Sequence, residues 1–136
     1  MGKNMLLITG TVTSSGNESI EIYNKVIEIC QQYSDNISSP LDTMQFEGNN
    51  EERYKRAMAL LQQTKLIIAE MSIPSTGQGM ELQEAVRLNI PIIIIAKEGS
   101  KISGLLLGTH IIKKVIYYKD IESLQSQLKE ALDDGF

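Results

Sequence analysis

Short apolar runs of strand length alternate along this chain with segments whose apolar residues recur at helical spacing. Met5 to Thr9 reads as a buried strand, and Gly10 to Gly16, rich in Thr, Ser and Gly, as a loop. Ser15-x-x-Glu18 has the pattern of a capping box for the helix that follows, in which Ile20, Tyr23, Ile27 and Cys30 share a face. Ser38-Ser39-Pro40 breaks the chain, and Leu41 to Phe46 is read as a second strand. Gly48-Asn49-Asn50 opens a helix carrying Tyr54, Met58 and Leu61 at helical spacing. Leu66 to Ala69 is a third strand, Ser72 to Gly79 a loop, and Met80 to about Asn89 a helix. Pro91 leads into Ile92-Ile93-Ile94-Ile95, a β-branched run expected of a central parallel strand covered on both faces. After the polar stretch Lys97 to Lys101, Val115 to Tyr118 forms a fifth strand, with Tyr117 and Tyr118 on opposite faces. Ile121, Leu124, Leu128 and Leu132 mark a closing amphipathic helix. This alternation predicts an α/β fold: a doubly wound, five-stranded parallel sheet, flavodoxin- or Rossmann-like, with helices on both faces. Right-handed crossovers make 2-1-3-4-5 the simplest strand order.

The 136 residues are 42% hydrophobic and 22% charged, which suits one soluble domain over residues 1–136 with one continuous core. No repeat or linker divides it. The net charge of −4 and the lack of a Lys/Arg cluster argue against binding a nucleic acid polymer. A few local donors can still hold one small phosphate. The apolar run Met5 to Ile8 is too short for a signal-peptide core or a membrane span, so a cytoplasmic protein with no membrane partner is expected. One cysteine, Cys30, excludes an intramolecular disulfide and reads as a buried structural thiol. His110 is the only histidine, so neither a His-based metal site nor a Ser-His triad is available, and no metal or cofactor is expected.

In an open parallel sheet, ligands bind beyond the carboxyl ends of the strands. The loops Gly10 to Gly16 and Glu70 to Gly79 fall there and can offer amides and hydroxyls to an anion. Neither is a Walker A loop or a G-x-G-x-x-G fingerprint. Glu81 follows Gly79 by two residues, in the first or second turn of its helix, where the dipole favours the ionised carboxylate. A carboxylate beside a sugar can attack the anomeric carbon; a solvated helix-start glutamate has the same spacing.

The stretch Leu66 to Leu82, which contains Glu70, Pro74-Ser75 and Gly77-Gln78-Gly79-Met80-Glu81, resembles the signature of the nucleoside 2-deoxyribosyltransferase superfamily. It is most similar to the branch of 2′-deoxynucleoside 5′-phosphate N-hydrolases. The resemblance implies that Glu81 is the nucleophile that releases the base. It also implies that Ser75 and Ser103 bind the 5′-phosphate, with Gly77 and Gly79 in the same loop, and that the backbone at Gly10 passes close to the ligand. Ser75 and Ser103 would serve equally as helix caps. The substrate implied is a small nucleoside or nucleotide, and a homodimer or higher homo-oligomer is expected, since a neighbouring subunit often completes the pocket in that family.

Four positions depart from the hydrolase branch. Leu7 stands in place of a tyrosine that orients the nucleophile, Ala57 and Lys65 in place of aspartates, and Thr13 in place of an arginine. General acid help typically contributes about 10²–10⁴-fold, and Ala57 cannot supply it. Asp42, Glu51, Glu52 and Glu70 are the candidate substitutes, with Glu70 the best placed as an auxiliary acid. Three readings follow: an N-glycosidic hydrolase or transferase, a nucleotide-binding protein that has lost turnover, or an enzyme for a different nucleotide-derived substrate.

Overall fold

The computed structural model describes residues 5–11 and 17–135. Five strands, β1 (Met5–Thr9), β2 (Ile37–Ser38), β3 (Thr64–Glu70), β4 (Ile92–Lys97) and β5 (Ile112–Tyr118), form one sheet in the order β2-β1-β3-β4-β5. Every neighbouring pair is parallel. Six helices connect or follow them: α1 (Asn17–Cys30), α2 (Pro40–Gln45), α3 (Asn50–Gln63), α4 (Thr76–Arg87), α5 (Gly104–Leu107) and α6 (Ile121–Asp133). The predicted fold class and strand order are those observed.

The apolar runs are continuous because each strand serves two cores. Leu6, Ile8, Leu66, Ile68, Ile93 and Ile95 point to one face, where Val26, Ile29, Leu124 and Leu128 of α1 and α6 cover them. The intervening Leu7, Ile67, Ala69, Ile92 and Ile94 point to the other, against Leu61 of α3 and Leu82 and Ala85 of α4. Side chains alternate along a strand, so a strand covered on both sides needs an apolar residue at every position. The cross-strand register Leu7↔Ile67, Ile67↔Ile92 and Ile94↔Val115 keeps the layers aligned.

Three elements differ from their sequence reading. Leu41 to Phe46 is not a strand: most of it lies in α2, and the second strand is the short pair Ile37–Ser38 before it. The reason is a capping box. The Ser39 hydroxyl accepts from Leu41 N at 3.2 Å, the Asp42 carboxylate accepts from Ser39 N at 2.9 Å, and Pro40 occupies the first helical turn. Helix α4 begins at Thr76 rather than Met80, because Ser75 caps it. On α1 the buried stripe is Ile22, Tyr23, Val26, Ile29 and Cys30, with Ile20 and Ile27 at its half-buried margins. Ser15 of the expected capping box, and Thr13, lie outside the described residues. Cys30 is fully buried, and burial pushes its thiol up to about 12. Tyr118 is buried and Tyr117 exposed, as the alternation requires. No helix among the described residues is long and apolar enough to cross a membrane.

Candidate active site

At the carboxyl end of β1 lies a cavity of about 590 Å³ enclosed by α2, α3 and the start of α4, the helix that follows β3. This is the switch point at which doubly wound sheets bind ligands. Leu7, Thr9 and Gly10 form its floor, Ser75, Thr76 and Gly77 one end, and Glu81 lines it farther along α4.

Gly10 is required by packing as well as by access. A Cβ there would overlap the Tyr23 hydroxyl and lie within 2.8 Å of its ring carbons. Tyr23 is buried and donates to the Thr11 carbonyl at 2.7 Å, so its ring is not free to retreat. Thr11 in turn donates through Oγ1 to the Ile73 carbonyl at 2.6 Å, tying the turn after β1 to the one after β3. Gly77 is different: a Cβ there would meet nothing within 4 Å, so no protein packing demands glycine. An added methyl would instead narrow the cavity mouth.

Ser75 accepts from Gln78 N at 3.3 Å and so caps α4, while also lining the cavity. The two readings of this serine are compatible, since a hydroxyl that accepts one bond keeps a proton to donate. The first-turn amides of Thr76 and Gly77 have no intrahelical acceptor, as in any helix, and belong to residues that line the cavity. An anion seated there would gain these donors and the positive end of the helix dipole.

Glu81 is the sixth residue of α4, in its second turn, and is half-buried. Burial pushes its carboxyl up to about 7, and the Arg56 guanidinium opposes that rise. The helix dipole favours the ionised form, but at this depth desolvation outweighs it. Glu81 is therefore poised to change charge near neutral pH.

The remaining candidates are placed elsewhere. Glu70 faces a second cavity, of about 390 Å³, bordered by α1 and the ends of β4 and β5. Its carboxylate accepts from Ser72 N and Ser72 Oγ at 2.8 Å each and from the Tyr118 hydroxyl at 2.5 Å. Burial, with this bond to Glu70 second, raises the Tyr118 phenol well above its ordinary range. Glu70 is a buried structural acceptor, and it is not brought to the cavity of Glu81. Asp42, Glu51 and Glu52 are occupied too, by Ser39 N, Lys55 Nζ and Asn49 N, each at 2.9 Å, and none lines the cavity. Ser103 is exposed, starts α5 without a side-chain cap bond, and is not a lining residue. Gly79 lies on the helix outside the lining. Leu7 and Ala57 do line the cavity, whereas Lys65 lies at the amino end of β3 and does not.

Several cavity residues carry no signal in a linear reading. Gln78 is 2% exposed; its Nε2 donates to Thr9 Oγ1 and to the Glu70 carbonyl, both at 3.0 Å, locking the ends of β1 and β3 to α4. Only an amide nitrogen can serve that carbonyl, so the orientation is fixed and Oε1 is left buried without a partner among the described residues. Arg53 and Tyr54 of α3 line the opposite wall. Arg53 and Arg56 each stand 5.4 Å from the Phe46 ring centroid, a cation–π arrangement, and Arg56 Nη1 reaches Thr43 Oγ1 at 3.5 Å.

No family model matches the sequence. The fold has close counterparts among solved structures. The CMP N-glycosidase of Clostridium botulinum superposes with a TM-score of 0.72 at 15% identity, covering 93% of this chain and 98% of that one. A 2-deoxyribosyltransferase from Bacillus psychrosaccharolyticus gives a TM-score of 0.69 at 14% identity, covering 89% and 90%. These superpositions show the nucleoside deoxyribosyltransferase fold. The sequence of this chain is 26% identical over 131 residues to a Methanosarcina mazei protein provisionally named 2′-deoxynucleoside 5′-phosphate N-hydrolase 1. That match covers 91% of the chain and 81% of the relative.

Proposed function

We propose that this protein cleaves the N-glycosidic bond of a 2′-deoxynucleoside 5′-monophosphate, or exchanges its base, through attack of the Glu81 carboxylate on the anomeric carbon. The observation that carries this reading is the placement of Glu81 and the α4 amino terminus in one cavity. Glu81 lies six positions after Ser75, about 9 Å along the helix axis. That suits a nucleoside 5′-phosphate with its phosphate on the Ser75–Gly77 turn and its sugar beside Glu81. Attack forms a glycosyl ester on Glu81 and releases the base; water then resolves the ester in a hydrolase, and a second base resolves it in a transferase. Free nucleotides of the cytoplasm are the pool such an enzyme would draw on.

A second reading, a nucleotide-binding protein without turnover, is favoured by Leu7 and Ala57 in the cavity wall, which offer neither a hydroxyl nor an acid. Deoxynucleosides and their 5′-monophosphates, incubated with and without an acceptor base and resolved by chromatography, separate the readings. Glu81-dependent release from monophosphates identifies a hydrolase, exchange identifies a transferase, and binding without either identifies a binder. Retention of full activity in Glu81→Ala removes the nucleophile assignment. We also propose a homo-oligomer, supported by Leu105 of α5, 89% exposed beside Ser103. Light scattering at micromolar concentration that shows a monomer rejects it.

A further inference from the structure

We propose that Gln78 is the positioning residue of this site: its side-chain amide anchors the first turn of α4 to the ends of β1 and β3 and so sets where Glu81 stands beside the sugar. The inference rests on the proposed Glu81 chemistry and adds the residue that aims it.

The turn needs an anchor. Thr76-Gly77-Gln78-Gly79 opens α4 with two glycines, and glycine favours a helix less than any residue except proline. A Cβ at either glycine would meet nothing within 4 Å, so neither position is held by packing. Gln78, between them, is the buried side chain of the turn. Its backbone N–H donates to Ser75 Oγ at 3.3 Å, and its Nε2 donates to Thr9 Oγ1 and to the Glu70 carbonyl at 3.0 Å each. Thr9 pairs in register with Ala69, the residue before Glu70, so one amide group spans two neighbouring strand ends. Glu70 is itself tied down by Ser72 and Tyr118. Gln78 thus joins β1, β3 and the Ser75 turn, and Glu81 follows it by three residues, on the adjacent turn of the helix.

For folding alone the amide brings little net gain. With both Nε2 protons placed, Oε1 is buried without a partner among the described residues, and an unpaired buried acceptor is destabilising. Methionine is of similar length and would fill the space without that cost, at the loss of the two bonds from Nε2. The two effects oppose each other in stability, but only glutamine provides the anchor.

The chemistry is more sensitive than the binding. Attack requires a carboxylate oxygen about 3–3.5 Å from C1′ and in line with the departing base, and a displacement of about 1 Å costs on the order of 10²-fold. The attraction of a phosphate to a helix start varies more gradually with distance. Loosening this turn therefore harms attack more than it harms binding.

The test compares Gln78→Met, Thr9→Val and the double variant with the native protein. Gln78→Met should keep Tm within about 4 °C. Single-turnover release of base from the four common deoxynucleoside 5′-monophosphates should slow on the order of 10²-fold, with KM changed far less. Thr9→Val should lose less, because the bond to the Glu70 carbonyl remains. The double variant should be no slower than Gln78→Met, the non-additivity expected of one shared bond. A full rate in Gln78→Met, a loss confined to KM, or additive losses overturns the proposal. If the native protein turns nothing over, a carbon-13 NMR titration of the Glu81 carboxyl still decides it. Burial holds that group at about 7, against the pull of Arg56. In Gln78→Met water should reach it and its pKa should fall toward the ordinary 4.5. Such a fall supports the anchor even where the Glu81 chemistry fails, and an unchanged value rejects the anchor even where that chemistry holds.

Discussion

Replacing Glu81 by Gln should stabilise the protein while abolishing its activity, and the gain should depend on pH. The carboxyl is raised from its ordinary 4.5 to about 7, chiefly by burial. Between those two values the folded protein holds a proton that the unfolded chain has released, so stability falls as pH rises through the window. Below it the cost is absent; above about pH 7 it is fully expressed. At about 1.36 kcal/mol per pKa unit the ceiling is about 3 kcal/mol, and partial solvent access to this half-buried group reduces that to about 2 kcal/mol. The attraction to Arg56 is already counted, because it acts within the same net shift. For a domain of this size about 2 kcal/mol corresponds to roughly 6 °C in Tm. Thermal and urea melts of both proteins at pH 4.0, 6.0 and 8.5 should show near-equal stability at the lowest pH and a gap in favour of Gln at the highest. A constant gap, or a Gln variant less stable at pH 8.5, would refute the assignment of Glu81 as an ionised group carried at a cost to folding.

Other expectations follow from the same cavity. The cleavage rate of the native protein should rise with pH and level off above about 7, as Glu81 ionises; a rate that falls over this range contradicts a carboxylate nucleophile. Ala57→Asp returns an acid to the wall and should raise turnover of purine monophosphates by about tenfold or more, the lower part of the range for general acid catalysis, measured as free base released. Ser75→Ala loses a helix cap and should cost about 1 kcal/mol in urea melts; in steady-state kinetics KM should rise for monophosphates and not for nucleosides. Gly10→Ala drives a methyl into the Tyr23 ring and should cost about 1–3 kcal/mol by the same melts, and an unchanged midpoint would show that the ring yields freely.

The sheet was readable because its strands are buried on both faces: Ile92 to Ile95 admits few other roles, and a parallel sheet of alternating strands and helices has few allowed orders. The misread segment, Leu41 to Phe46, is short enough for its capping residues to decide it, and Ser39, Pro40 and Asp42 were present as a signal that the apolar pattern obscured. In the site, Ser75, Gly77 and Glu81 could be grouped beforehand because they lie close in the chain and on one helix start. Arg53 and Arg56 could not, since their meaning depends on α3 standing across the cavity from α4, a long-range placement. Tyr54 shows the same limit. Its helical spacing with Met58 and Leu61 does not reveal that it sits 54% exposed at the cavity rim. Glu70 erred in the opposite direction: near the motif in sequence, it turns through the sheet to the other face.

The two borders of the sheet bear on how this molecule meets others. An open sheet leaves two outer strands whose unpaired amides and carbonyls invite a foreign strand. Here one border is β2, only two residues long. The other, β5, spans seven residues but carries the exposed Lys113 and Lys114 near its start. One rim is too brief to template an added strand, and the other would have to neutralise adjacent ammonium groups to do so. Self-association by strand addition is thereby discouraged in solution, even though Ile92 to Ile95 would form a strongly aggregating segment if exposed.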